Sequence, residues 1–211
     1  QAEPGGVARR FIDGTQPSLE AQLAALADEI AYNAHDIDDG VRSGLLTLDQ
    51  VAGGAPLFAR FVRESLREHP ALQGRRLLYE SIRRMLSAQV YDVIDATRAA
   101  LQAAQPRSAG DARRAGALVR FGEAMRTESA MLKRFLFANL YRHPQVVATT
   151  QHGQQAVREL FHAYLARPAE LRQEFASRPD RERAVADYIA GMTDRFALRE
   201  HERLTGRRIG I

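Results

Sequence analysis

Cysteine is absent from the 211 residues, which excludes disulfides and thiolate metal sites; any metal must be held by carboxylate, imidazole or phosphate oxygen. Tryptophan is absent too, and Lys133 is the only lysine beside 29 arginines. No apolar run approaches the ~18 residues that a spanning helix needs. Nothing near the start has the charged, apolar, small order of a signal peptide, so the expectation is a cytoplasmic protein with no membrane partner. Strand-like alternation of Val, Ile and Thr is missing, as are an internal repeat and a heptad run long enough for a coiled coil.

What remains is enough for a sizeable core. Hydrophobic residues make up 45% of the chain, which fits one domain or a compact pair of subdomains. Apolar residues recur near every 3.6 positions, and Ala, Leu, Arg, Glu and Gln dominate, so the chain is expected to be all-α, a single helical region over residues 1–211. The formal charge of +4 and the excess of arginine point to a polyanionic partner, nucleotide or nucleic acid, since the guanidinium fork binds phosphate through paired hydrogen bonds.

Punctuation places the helices. Ser18 caps the first, which Gly40 is expected to close; Thr47 to Gln50 form a capping box for a second, ended by Gly53 and Gly54. A third spans 56–69, a long fourth 74–105, and residues 106–114 are expected to form a mobile loop. Later helices are expected over 123–141, 144–166 and 180–204.

The first helix is anomalous in charge. The stretch ALADEIAYNAHDIDDGVRSGLL (residues 25–46) holds five acids and no base before Arg42. At 100° per residue, Leu23, Leu26, Ala27, Ile30, Ala34, Ile37 and Val41 share one face, and Asp28, Tyr32, His35, Asp36 and Asp39 the other. Periodicity alone gives an amphipathic helix with a wet side. A wet side usually mixes signs at i,i+4, however, and acids at a helix C-terminus oppose the macrodipole. Something must answer them, and Arg42 or arginines of another helix are candidates. Asp28, Tyr32 and Asp36, spaced four apart, stack a carboxylate, a phenol and a carboxylate along one line on which a ligand could lie. The lone dipeptide His35-Asp36 does not make a metal site, because the other histidines show no ligand spacing and about four converging ligands are needed.

The wording of this helix, PSLEAQLAALADEIAYNAHDIDDGVRSGLL (17–46), resembles a signature segment of the bacterial dGTPase-like deoxynucleoside triphosphate triphosphohydrolases, members of the HD-domain metal-dependent hydrolases. LKRFLFANLYRHPQV and VADYIAGMTDRFALREHERL (185–204) are similar to the same family's C-terminal half. The resemblance implies an HD-superfamily-type helical bundle and hydrolysis of a dNTP to deoxynucleoside and inorganic triphosphate. It implies a divalent cation, Mg or Mn, held by residues in the order H…HD…D, the last matching Asp28. It makes Tyr32 and Asp36 contacts of the deoxyribose, and it suggests a homo-oligomer. The other metal ligands and the catalytic His and Glu of the family precede this segment. The chain is therefore expected to be the C-terminal portion of such an enzyme, inactive alone.

Other residues carry weaker signals. Arg83 and Arg84 could reach a triphosphate, but salt-bridge ladders along SIRRMLSAQVYDVIDATR (81–98) explain them more simply. Lys133 is a compact charge suited to a tight phosphate site, or a solvated survivor on a wet face. Tyr141 could stack on a base, though a core role is favoured. Gly191 could permit close helix packing, with Asp194 paired to Arg195 or Arg199. Alternatives to the triphosphohydrolase are a non-catalytic helical module for nucleic acid or nucleotide, and an HD phosphohydrolase acting on nucleoside monophosphates or cyclic nucleotides.

Overall fold

A computed structural model of the chain describes Ile12 and residues 14–210. Among the described residues there are ten α-helices and no strand, as the apolar period requires. No helix among them is long and apolar enough to cross a membrane. They fall into two compact units, the first ending at Tyr141 and the second beginning at Arg142.

The first unit contains α1 (Leu19–Arg42), α2 (Leu48–Gly54), α3 (Pro56–Glu68), α4 (Gly74–Ala104), α5 (Ala109–Arg114) and α6 (Glu123–Leu136), which runs on as a π-helical turn over Phe137–Tyr141. Local chemistry sets the starts. Ser18 Oγ accepts from the Ala21 N–H at 3.3 Å, and Thr47 and Gln50 exchange both bonds of the capping box. Ile37, Val51, Leu57, Phe58, Met85 and Leu132 are fully buried and form the centre of the core. Gln22 ties the start of α1 to the approach to α6: its Oε1 accepts from the backbone of Leu118 at 3.0 Å and of Val119 at 3.2 Å.

Three expectations about this unit need correction. Gly40 does not end α1, which continues to Arg42. It is glycine because a Cβ there would lie 2.9 Å from Leu46 Cδ1, so the reason is close approach and not a helix stop. Leu23 and Ala27 are exposed, while Gln22 and Asn33 are buried in their place, because the covered face is rotated toward the residues before and after them. Residues 106–114 are not all loop. Ser108 Oγ accepts from the Asp111 N–H at 3.1 Å and starts α5, whose Ala112 packs with Ala100 and Leu118.

The second unit contains α7 (Pro144–Ala166), a 3-10 turn at Pro168–Glu170, α8 (Gln173–Ala176), α9 (Arg181–Ala190) and α10 (Asp194–Thr205). The single helix expected over 180–204 is two. Gly191 ends α9, and Thr193 Oγ1 accepts from the Phe196 N–H at 3.3 Å to open α10. Tyr188 packs edge-on against Tyr164 at 5.3 Å, and Asp187 accepts from Arg178 at 2.9 Å and Arg183 at 2.8 Å. Gly191 is therefore a helix end and not a packing position, and of the two aspartates that flank it Asp187, not Asp194, makes the ion pairs.

Candidate functional site

The acidic line of α1 is the wall of a cleft. Asp28, Glu29, Tyr32, Asn33 and Asp36 face Lys133 and Leu136 of α6 and Phe137 and Tyr141 of the π-helical turn, around a volume of about 460 Å³. A larger hollow of about 710 Å³ lies between α1 and α4, but Leu19, Leu23, Val93, Ile94 and Leu101 make it mainly apolar. It gathers no set of acids, so the smaller cleft is the one with chemistry.

Each acid in the cleft has a different answer. Tyr141 donates its hydroxyl hydrogen to Asp36 Oδ2 at 2.8 Å. That bond, with partial burial and the negative charge of Asp36, pushes the phenol up to about 12. Glu29 Oε2 lies 3.3 Å from Lys133 Nζ. Asp28 is exposed and has no hydrogen-bond or ion-pair partner among the described residues. Asp39 pairs with Arg42, as expected from the helix end, whereas Asp38 Oδ1 is buried without a partner. Phe137 stacks beside Tyr141 with centroids 6.4 Å apart, adding a flat apolar surface next to the phenol.

The donor set bears on a metal. Among the described residues no group of three or more His, Cys, Asp or Glu is gathered closely enough to hold one. Asp28 offers a single hard oxygen ligand of the kind that Mg or Mn takes. It fits as one member of a coordination shell, and the remaining members are not among the described residues. His35 is exposed and does not line the cleft, so the His35-Asp36 dipeptide supplies no second ligand there.

Four of the five site residues expected from the sequence, Asp28, Tyr32, Asp36 and Lys133, come together in this cleft. Arg84 does not line it. Its guanidinium is shared between Glu68, at 2.5 and 2.8 Å, and Glu80, at 2.6 Å, with the side chain 17% exposed. Arg83 and Arg84 together hold the Glu80 carboxyl down to about 2, so the ion-pair ladder is the geometry that these arginines adopt. Tyr141 corrects the opposite way: it is 47% exposed on the cleft and is not a core residue. Phe137, which the sequence suggests is a core residue like the other phenylalanines, is 54% exposed on the same cleft, and Glu29 and Asn33 were not singled out from the sequence. The spacing of Glu29 and Asn33 around Asp28 and Asp36 on one helix was the available signal.

A family model described as a phosphohydrolase-associated domain matches residues 119–203. A deoxyguanosinetriphosphate triphosphohydrolase-like protein of Ralstonia nicotianae is 50% identical over 202 residues, covering 95% of this chain and 52% of that protein. Proteins of the same name from Bordetella pertussis and Thiobacillus denitrificans are 51% and 46% identical, again over 95% of this chain and over 52% and 54% of their own lengths. The chain thus spans about half the length of the curated relatives it matches. The resemblance read from three segments extends along nearly the whole chain, and its relatives are phosphohydrolase-like proteins.

Proposed function

We propose that the chain is the C-terminal portion of a divalent-metal-dependent dNTP triphosphohydrolase and that the cleft between α1 and α6 receives the nucleotide. The observation that carries this reading is the convergence of Asp28, Tyr32, Asp36 and Lys133 on one cleft, with Asp28 left without a partner among the described residues. The names of the relatives support the reaction class.

The chemistry assigned to each side chain follows from its atoms. Asp28 would hold Mg or Mn together with ligands contributed from elsewhere in the full-length polypeptide, and the bound cation would supply Lewis-acid polarisation of phosphate oxygen. Asp36 is an acceptor only, so it pairs with a hydroxyl, and deoxyribose within a 5′-nucleotide has one free hydroxyl, at the 3′ carbon. Tyr141 fixes the Asp36 carboxylate for that contact, and Tyr32 lies one turn before it on the same line. Lys133 is half-released to solvent beside Glu29 and can turn to a phosphate, where its charge offsets the negative charge of the triphosphate oxygens as water attacks. Water oxygen joins the α-phosphorus, the bond from phosphorus to the 5′ oxygen breaks, and that oxygen leaves with a proton as the deoxynucleoside.

Product analysis tests the assignment. The full-length protein incubated with dGTP and Mg or Mn should release deoxyguanosine and intact inorganic triphosphate, resolved by ion chromatography. Pyrophosphate, orthophosphate or unchanged dGTP would overturn it. Binding that instead falls steeply and linearly with salt on a log-log plot, without dependence on the sugar, would mark the helical surface as a nucleic-acid module.

A further inference from the structure

The apolar hollow between α1 and α4 is left open by the first unit's own residues. Leu19 and Leu23 wall it from α1, and Val93, Ile94 and Leu101 from α4. Leu23 is 52% exposed and Ile94 43%, and Val90 and Tyr91 are exposed on the same helix as Ile94. Single exposed apolar side chains are ordinary, but several gathered along one groove mark an interaction surface. The polar edge is already answered: Arg98, the basic residue of the lining, pairs with Asp95 at 3.1 Å, and Thr97 Oγ1 accepts from the Arg120 N–H at 3.4 Å. A membrane surface calls for free basic residues beside the apolar wall, which this edge does not offer. A groove between two helices instead suits the ridge of a third.

Two observations point to the source of that helix. About half the length of each curated relative lies outside the part that this chain matches, and on the function proposed above that half precedes Gln1. The groove also lies where the chain enters the unit, because Leu19 and Glu20, the first residues of α1, line it. From Leu23 the surface of α1 turns through Ala27, Ala31 and Ala24, all exposed, before it reaches Asp28. Side chains this small let a second helix approach closely. We infer that a helix of the polypeptide preceding Gln1 docks in the α1–α4 groove and lies across these alanines as far as Asp28. The inference rests on the reading of the chain as a C-terminal portion and deepens it, since the element that closes the groove also brings further groups beside Asp28. Leu23 and Ile94 are then interior residues of the full-length protein.

The test reacts full-length protein carrying Leu23→Cys or Ile94→Cys with N-ethylmaleimide and follows each position by peptide mass spectrometry. Cover by the preceding polypeptide predicts labelling at both positions at least about tenfold slower than that of an unstructured cysteine peptide at the same pH. A smaller slowing at either position overturns the docking, and if that protein releases triphosphate from dGTP the proposed reaction still stands. Ile94→Glu then separates cover by the same polypeptide from cover by a second copy. The same polypeptide predicts a lower thermal midpoint, because a charge is buried, with the molar mass by light scattering equal to that of wild type. A drop in molar mass, or an unchanged midpoint, overturns the docking. Ile94→Thr carries this comparison where glutamate prevents folding. Slow labelling in a protein that releases no triphosphate supports the docking and removes the reaction instead.

Discussion

Two ionic clusters, one in each unit, treat their charges in opposite ways. In the second unit Glu159 of α7 is covered by donors: Gln155 at 3.0 Å, His201 Nε2 at 2.6 Å and Arg207 at 2.8 Å. His201 is fully buried, and its Nδ1 lies 3.1 Å from the Arg207 carbonyl oxygen. Both ring nitrogens thus face acceptors. Hydrogen bonds from Gln155 and His201, with Arg207 nearby, hold the Glu159 carboxyl below its ordinary range. In the first unit the acids of the cleft are answered once or, at Asp28, not at all among the described residues. The difference separates charges that hold a fold together from charges that, on the function proposed above, are kept for a ligand. A carboxylate saturated by its own chain has no capacity left for a ligand, and one that is exposed on a cleft wall keeps all of it.

The sharpest test of that contrast removes one partner from the saturated cluster. His201→Ala removes a fully buried ring that bonds Glu159 and faces the Arg207 carbonyl, and the second unit should lose about 2–4 kcal/mol in urea unfolding from the cavity and the lost bond. A loss below about 1 kcal/mol would break the comparison by showing that the cluster is not structural. Next in size is the packing beside the cleft. A Cβ on Gly54 would meet Phe135 of α6 at 2.2 Å, so Gly54→Ala should cost about 1–3 kcal/mol and disturb the cleft through α6.

Smaller still is the Tyr141 bond, which is half exposed. Tyr141→Phe should cost no more than about 1 kcal/mol at neutral pH. Its pH signature has a definite sign. The folded phenol is raised from the ordinary 10 to about 12, so its contribution is complete below pH 10 and is lost as pH climbs toward 12. Burial and its bond to Glu200 raise the Tyr164 phenol as well, so absorbance titration should show one fewer late-ionising tyrosine in Tyr141→Phe than in wild type; equal late amplitudes in the two proteins would contradict it. At the bottom of the scale, Arg98→Ala removes an exposed pair with Asp95 on α4, and stability should move by less than about 0.5 kcal/mol in the same urea assay.

The helices were legible from the sequence because their starts are chemical. Ser18, the Thr47–Gln50 box and the proline of Pro144 all begin helices where their side chains dictate. Residues Ser108 to Asp111 carried the same kind of signal, and the surrounding Gly, Arg and Ser concealed it. Ends were harder to read, since glycine serves two purposes. At Gly40 it allows close approach inside a helix, and at Gly191 it stops one. The line Asp28, Tyr32, Asp36 was legible because it lies on one helix, where spacing alone fixes the face. The partners Tyr141 and Glu29 were not, since Asp36 meets a residue 105 positions away and Lys133 meets one across a helix pair. Local periodicity holds no information about which distant residue closes a cleft. Half of the ion-pair network of Arg84 was hidden for the same reason: Glu80 is one turn away, as a ladder requires, but Glu68 belongs to another helix.

The most direct test of the central claim is Asp28→Asn in the full-length protein, assayed for triphosphate release from dGTP and for thermal stability side by side. A carboxylate kept for a ligand predicts release reduced to background with stability within about 0.5 kcal/mol of wild type, because the side chain supports nothing in the fold. Retained triphosphate release, or a large loss of stability, would contradict the assignment of Asp28 and with it the reading of the cleft.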